Sequence, residues 1–164
     1  MGKTIKEKLK EAEKYIYENF DELGIDDPVE EGYFEEYEQI GGVSEAEFED
    51  FEKTFGIKLP EDFKELYSYK NGSWYFELLQ CDIDGREINF TLFSLEEMKN
   101  VKSYFQDRDA LLTDYPEYFT YDVIEQMRDS RIKPYLFHKD WFAFATYLNC
   151  GYLMLDFDPD KEGK

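Results

Sequence analysis

The sequence predicts an α+β fold: a mixed or mainly antiparallel sheet flanked by helices, preceded by an N-terminal helical extension. Three observations carry this expectation. Apolar residues recur at helical spacing through much of the first seventy positions, an Asp-Gly turn joins two strand-like runs after position 73, and another pair of such runs follows position 140. At 164 residues the chain suits one domain with a real core, because a chain near 150 residues buries about 70% of its unfolded surface. We read 1–164 as a single domain, with a helical extension over 1–40 and a core over 41–160 that carries an insert at 107–137.

The elements follow in order. Ile5, Leu9, Ala12, Ile16 and Phe20 step by three and four, which places them on one face of a helix that Gly24 stops. Asp26-Asp27-Pro28 reads as a turn, and Glu30 to Gln39 as a further helical stretch ending at Gly41-Gly42. Ser44 and Glu47 form a capping box, Val43 and Phe48 a hydrophobic staple, and Phe48, Phe51 and Phe55 a stripe that Gly56 terminates. Pro60 then opens the first turn of a short helix with Phe63, Leu66 and Tyr67 on its apolar face, closed by Asn71-Gly72. Trp74 to Ile83 reads as a strand whose Trp74, Tyr75 and Phe76 are either core, the favoured reading, or a partner-facing patch, and Asp84-Gly85 turns it back into Ile88, Phe90 and Leu92. Ser94 and Glu97 repeat the capping box for a helix to about Gln106. Tyr115-Pro116 breaks the pattern, Tyr121 to Met127 is helical in character, and Pro134 ends that region. Trp141 to Leu148 and Tyr152 to Phe157 form the last antiparallel pair.

Charge limits the function. The chain holds 19 Lys and Arg against 39 Asp and Glu, a net charge of −20, on a body with 15 Phe, 14 Tyr and 2 Trp. Such a surface repels phosphate backbones and anionic membranes, so direct nucleic-acid binding and membrane association are not expected. No window approaches the roughly 20 apolar residues of a membrane span, and the basic amphipathic start lacks the apolar stretch of a secretory signal. Cys81 and Cys150 show no paired CxxC spacing and read as buried thiols of a cytoplasmic protein.

Between Tyr15 and Glu52 stand fifteen acidic residues and no basic one. That run fits either a solvated face that keeps the protein soluble or a docking surface for a basic protein. Aromatics interleaved with the acids favour docking, so the candidate partner-binding residues are Asp26, Asp27, Glu30, Glu31, Glu35, Glu36 and Glu38 for charge, with Tyr33, Phe34 and Tyr37 as anchors. Catalytic signatures are missing: the sequence has one histidine, His138, read as structural, no nucleophile elbow, and no phosphate-binding glycine loop. Asp156, Asp158 and Asp160 open like a calcium loop, but Lys161 stands where that loop needs glycine, so no metal or other cofactor is expected.

The segment Val43 to Leu66, with its Ser44-Glu45-Ala46-Glu47-Phe48 helix start, Gly56-Ile57-Lys58-Leu59-Pro60-Glu61-Asp62-Phe63 and closing Asn71-Gly72, resembles the opening of the SUKH superfamily. Leu92-Phe93-Ser94-Leu95-Glu96-Glu97 is similar to that family's strand-to-helix junction, and Trp141 to Asp156 to its final strand pair, so the likeness spans about 41–106 and 138–160. The resemblance implies an α+β fold and a non-catalytic role in binding proteins. For bacterial members it implies immunity, with a cognate protein toxin of basic surface, a nuclease by expectation, as partner. For the fungal branch it implies a scaffold in the regulation of cell-wall or glucan synthesis, which stands as the alternative.

Overall fold

The structure, a computed structural model, describes residues 2–24, 31–83, 85–105, 109–127 and 134–158. Helix α1 (Ile5–Asn19) starts on a capping box between Thr4 and Glu7, and α2 (Tyr33–Gln39) follows after Gly32. Helix α3 (Glu45–Phe55) begins at the expected Ser44–Glu47 box and ends at Gly56. Pro60 is the N-cap of α4 (Glu61–Tyr69), one position earlier than the first helical turn where the sequence placed it.

Strand β1 (Leu79–Ile83) pairs with β2 (Arg86–Leu92) in the expected hairpin, Ile83 opposite Arg86. Helix α5 (Leu95–Phe105) then leads to the short β3 (Ala110–Leu111), a 3₁₀ turn at Leu112–Asp114, and α6 (Tyr121–Met127). Strand β4 (Tyr135–Phe137) pairs with β3, and β5 (Trp141–Tyr147) with β6 (Gly151–Asp156). The main sheet runs β1-β2-β5-β6 and is antiparallel throughout. The fold is therefore α+β, and every observed strand pairing is antiparallel.

Two apolar clusters meet at β5. Phe48, Phe51, Phe63, Tyr67, Met98 and Phe142 fill the first, beneath α3, α4 and α5. Leu9, Tyr37, Phe76, Leu78, Phe90 and Leu92 fill the second, beneath α1 and α2. Helix α1 is tied down by Glu13, whose carboxylate accepts from Tyr69 Oη at 2.8 Å on α4 and from Tyr37 Oη on α2. Ile5 N also donates to Glu65 Oε1 at 2.9 Å.

The strand expected from Trp74 starts only at Leu79. Between α4 and β1 the chain crosses a tight junction at Asn71-Gly72-Ser73. Asn71 N donates to Gly41 O at 2.8 Å, and Asn71 Oδ1 accepts from Leu95 N at 2.9 Å, capping α5. Ser73 has no exposed surface; its Oγ accepts from Leu92 N and donates to Phe76 O, both at 2.7 Å. Gly72 has φ +90°, and a Cβ there would sit 2.6 Å from Ser94 N. This junction leaves Phe76 buried but turns Trp74 and Tyr75 outward, at 41% and 60% exposure, which corrects their expected place in the core. Cys150 is likewise exposed, not buried, and Cys81 is half-buried; both are free thiols.

Glu52 is the buried carboxylate of α3. It meets Lys58 Nζ at 2.6 Å, Lys64 Nζ at 3.0 Å and the Leu59 amide at 2.9 Å. The bonds from Lys58 and Lys64 overcome the cost of burial and hold its pKa at about 2. Since the folded pKa lies below the unfolded value, this stabilisation is complete above pH 4.5 and is lost as pH falls toward about 2. Thermal melts of Glu52→Gln should lie well below the wild type at pH 7, and the gap should close as pH approaches 2. Gly72→Ala should cost about 2–4 kcal/mol through strain and backbone overlap, and Ser73→Ala about 1–3 kcal/mol by leaving the Leu92 amide unpaired; urea unfolding measures both.

Candidate functional site

The acidic stretch singled out by composition is presented by a short helix, and that helix needs support. Seven residues are too few to hold a helix alone. Glu35 and Glu36 lie in its first turn, where carboxylates suit the helix dipole, and a buried lysine closes its far end. Lys70 Nζ donates to Tyr37 O and Glu38 O at 2.9 Å and to Ile40 O at 3.0 Å, so each ammonium proton meets a carbonyl. Burial lowers the Lys70 pKa, while Glu13 and Glu38 pull it back up.

The proposed anchors separate. Tyr37 is buried, with its ring stacked on Phe76 at 4.5 Å and its hydroxyl donating to Glu13. Burial first, and the carboxylate second, push its phenol well above the ordinary range. It is therefore a core residue and cannot touch a partner, a correction to its expected role. Phe34 is half-buried between Tyr17 at 4.5 Å and Phe76 at 5.7 Å, so it mainly packs α2 onto the body. Tyr33 lies at the boundary, its ring 5.9 Å from Trp74 and 5.6 Å from Tyr75.

Trp74 and Tyr75 stand 4.6 Å apart, so with Tyr33 they form a three-ring platform beside the acids. Of those acids, Glu31, Glu35, Glu36 and Glu38 are exposed, whereas Asp26, Asp27 and Glu30 lie outside the described residues. Large rings with few rotatable bonds lose little entropy on contact, which is what a binding anchor requires. The sequence favoured a core place for Trp74 and Tyr75 over a partner-facing patch, because an aromatic run reads as strand. The usable signal is the preceding Asn71-Gly72, which puts a turn where a strand would have to begin.

A second cluster has the makings of a cation site. His138, Asp140 and Asp158 offer ligand atoms within 4.8 Å of one another. His138 Nδ1 already accepts from Asp140 N at 3.3 Å, and Asp140 Oδ2 is paired with Lys139 Nζ at 2.5 Å. These bonds give His138 a structural part, closing the turn into β5; Asp160 lies outside the described residues. Among the described residues no helix is long and apolar enough to cross a membrane.

Comparison with known families finds a match to the SMI1 / KNR4 family (SUKH-1) over residues 42–164, which takes in 107–137 as well as the two segments where the likeness was read. No curated protein matches the chain. The matched stretch contains α3 through β6, with α1 and α2 preceding it. The chain belongs to the SMI1 / KNR4 family (SUKH-1).

Proposed function

We propose that this chain is a cytoplasmic immunity protein that binds a cognate protein toxin and blocks it by covering its active face. The family includes both immunity proteins and regulators of the SMI1/KNR4 kind. The observation that favours immunity is the pairing of exposed Glu31, Glu35, Glu36 and Glu38 with the Tyr33–Trp74–Tyr75 platform. A nuclease toxin must show Lys and Arg to phosphates, and an acidic inhibitor occupies that same surface. Carboxylates steer the encounter, and the rings hold the complex once formed. The protein acts by occupancy, with no turnover.

The test is capture of host proteins on the immobilised chain at low salt, followed by co-expression. A basic protein that elutes late and arrests growth unless this chain is present supports immunity. Several weakly held wall-synthesis or signalling proteins would shift the reading to a regulatory scaffold. With the toxin in hand, neutralising Glu31, Glu35, Glu36 and Glu38 together should slow association about tenfold or more at low salt and flatten its salt dependence. Trp74→Ala or Tyr75→Ala should instead speed dissociation, by about 30-fold for a central anchor, as surface plasmon resonance would read.

A further inference from the structure

On the far side of Trp74 from Glu36, a groove of about 300 Å³ runs between the Trp74–Tyr75 loop and the β5–β6 turn. Its floor is Leu92 and Phe93, and Glu77 and Glu97 supply its charge. Among the described residues no lysine, arginine or histidine lines it. The neighbouring depression, which shares Trp74 and Glu97, adds Glu36 and again no cation. Trp74 therefore borders two depressions whose charged lining, among the described residues, is Glu36, Glu77 and Glu97.

Backbone strain points to the same place. Among the described residues, the non-glycine positions with positive φ are Trp74 (50°), Leu148 (48°) and Asn149 (55°), and all three line this groove. Asn tolerates that conformation, but Leu and Trp do not adopt it cheaply. Leu148 and Asn149 are the central residues of a turn in which Cys150 N donates to Tyr147 O at 2.9 Å, a turn that favours Asn-Gly. Leu148 is also 73% exposed, so its side chain recovers little of the cost by burial. An apolar residue held against its backbone preference and left in solvent has no folding rationale, and strain of this kind gathers at ligand clamps.

We propose that this groove receives an arginine side chain presented by a loop of the basic protein partner. The guanidinium lies against the Trp74 indole, its N–H groups donate to Glu77 and Glu97, and Leu148 covers its aliphatic stem. Glu97 Oε2 already accepts from Ser94 N at 2.7 Å, but a carboxylate has further lone pairs to offer. Arginine fits better than lysine because a planar fork can stack on a ring and bridge two carboxylates at once. This assignment rests on the partner being a basic protein, as proposed above.

The test needs no toxin. A capped Gly-Arg-Gly peptide, with lysine and citrulline counterparts, is titrated into the full chain while backbone amide shifts are followed by NMR. The arginine peptide should shift Trp74, Tyr75, Leu148 and Asn149, binding about tenfold tighter than citrulline. Glu77→Gln should remove that preference, and Glu49→Gln on α3 should keep it. Leu148→Asn should raise Tm, because asparagine suits the turn, yet weaken the peptide. Equal binding of all three peptides, shifts confined to other surfaces, or a Leu148→Asn variant with undiminished binding would overturn the groove assignment. Toxin neutralisation that survives such a result would leave the immunity reading standing, and arginine binding by a chain that rescues no toxin would leave the groove standing without it.

Discussion

The buried hydroxyl of Ser73 joins parts of the molecule that are otherwise remote in sequence. It accepts from Leu92 at the end of β2 and donates to Phe76 ahead of β1. Its neighbour Asn71 caps α5, and Tyr67, one turn earlier on α4, donates to Phe93 O at 2.7 Å and Phe144 O at 3.2 Å. Helix, hairpin and central strand are thus held by polar bonds that water cannot replace, because the groups involved are buried. The same bonds leave no room for a strand at Trp74. The outward turn of Trp74 and Tyr75 follows from how the core is closed.

A chain with a net charge of −20 must keep its repulsion outside. The few charges that are buried are each used to finish backbone. Glu52 takes the Leu59 amide ahead of α4, and Lys70 takes the last carbonyls of α2. Lys102 donates to Trp141 O at 3.0 Å and to Lys139 O, with its ammonium 4.2 Å from the Phe142 ring centre. Burial lowers the pKa of both Lys70 and Lys102, while Glu13 and Glu38 around Lys70 and Asp140 and Asp109 around Lys102 favour the protonated form. Among the described residues, two buried cations and one buried carboxylate with two lysine partners leave most of the acid on the surface.

Much of the fold was legible because its signals are local. The boxes at Ser44–Glu47 and Ser94–Glu97, the stop at Gly56 and the β1–β2 pairing each rest on short-range signals and form as read, while Asp84 of the expected turn lies outside the described residues. The helical character of Tyr121 to Met127 survives as α6 even in an irregular region. The errors share another cause. Tyr37 is inside because Phe76 and Glu13, both distant in sequence, approach it. Trp74 is outside because Ser73 and Gly72 are pinned to β2 and α5. Charge could be placed from sequence, but the aromatic platform beside it is assembled by tertiary contacts. A count of acids and rings along the chain does not distinguish an anchor from a core residue.

The exposure of Trp74 leaves its side chain out of the bonds that close the core. Its neighbours on the chain, Ser73 and Phe76, are locked by bonds that use backbone and a buried hydroxyl, and none of these bonds involves the indole. The side chains at 74 and 75 can therefore change while the bonds that hold the frame behind them stay as they are. Single substitutions there alter the exposed surface without removing a bond that the core depends on. The scaffold thus separates the residues that close it from the residues that it displays.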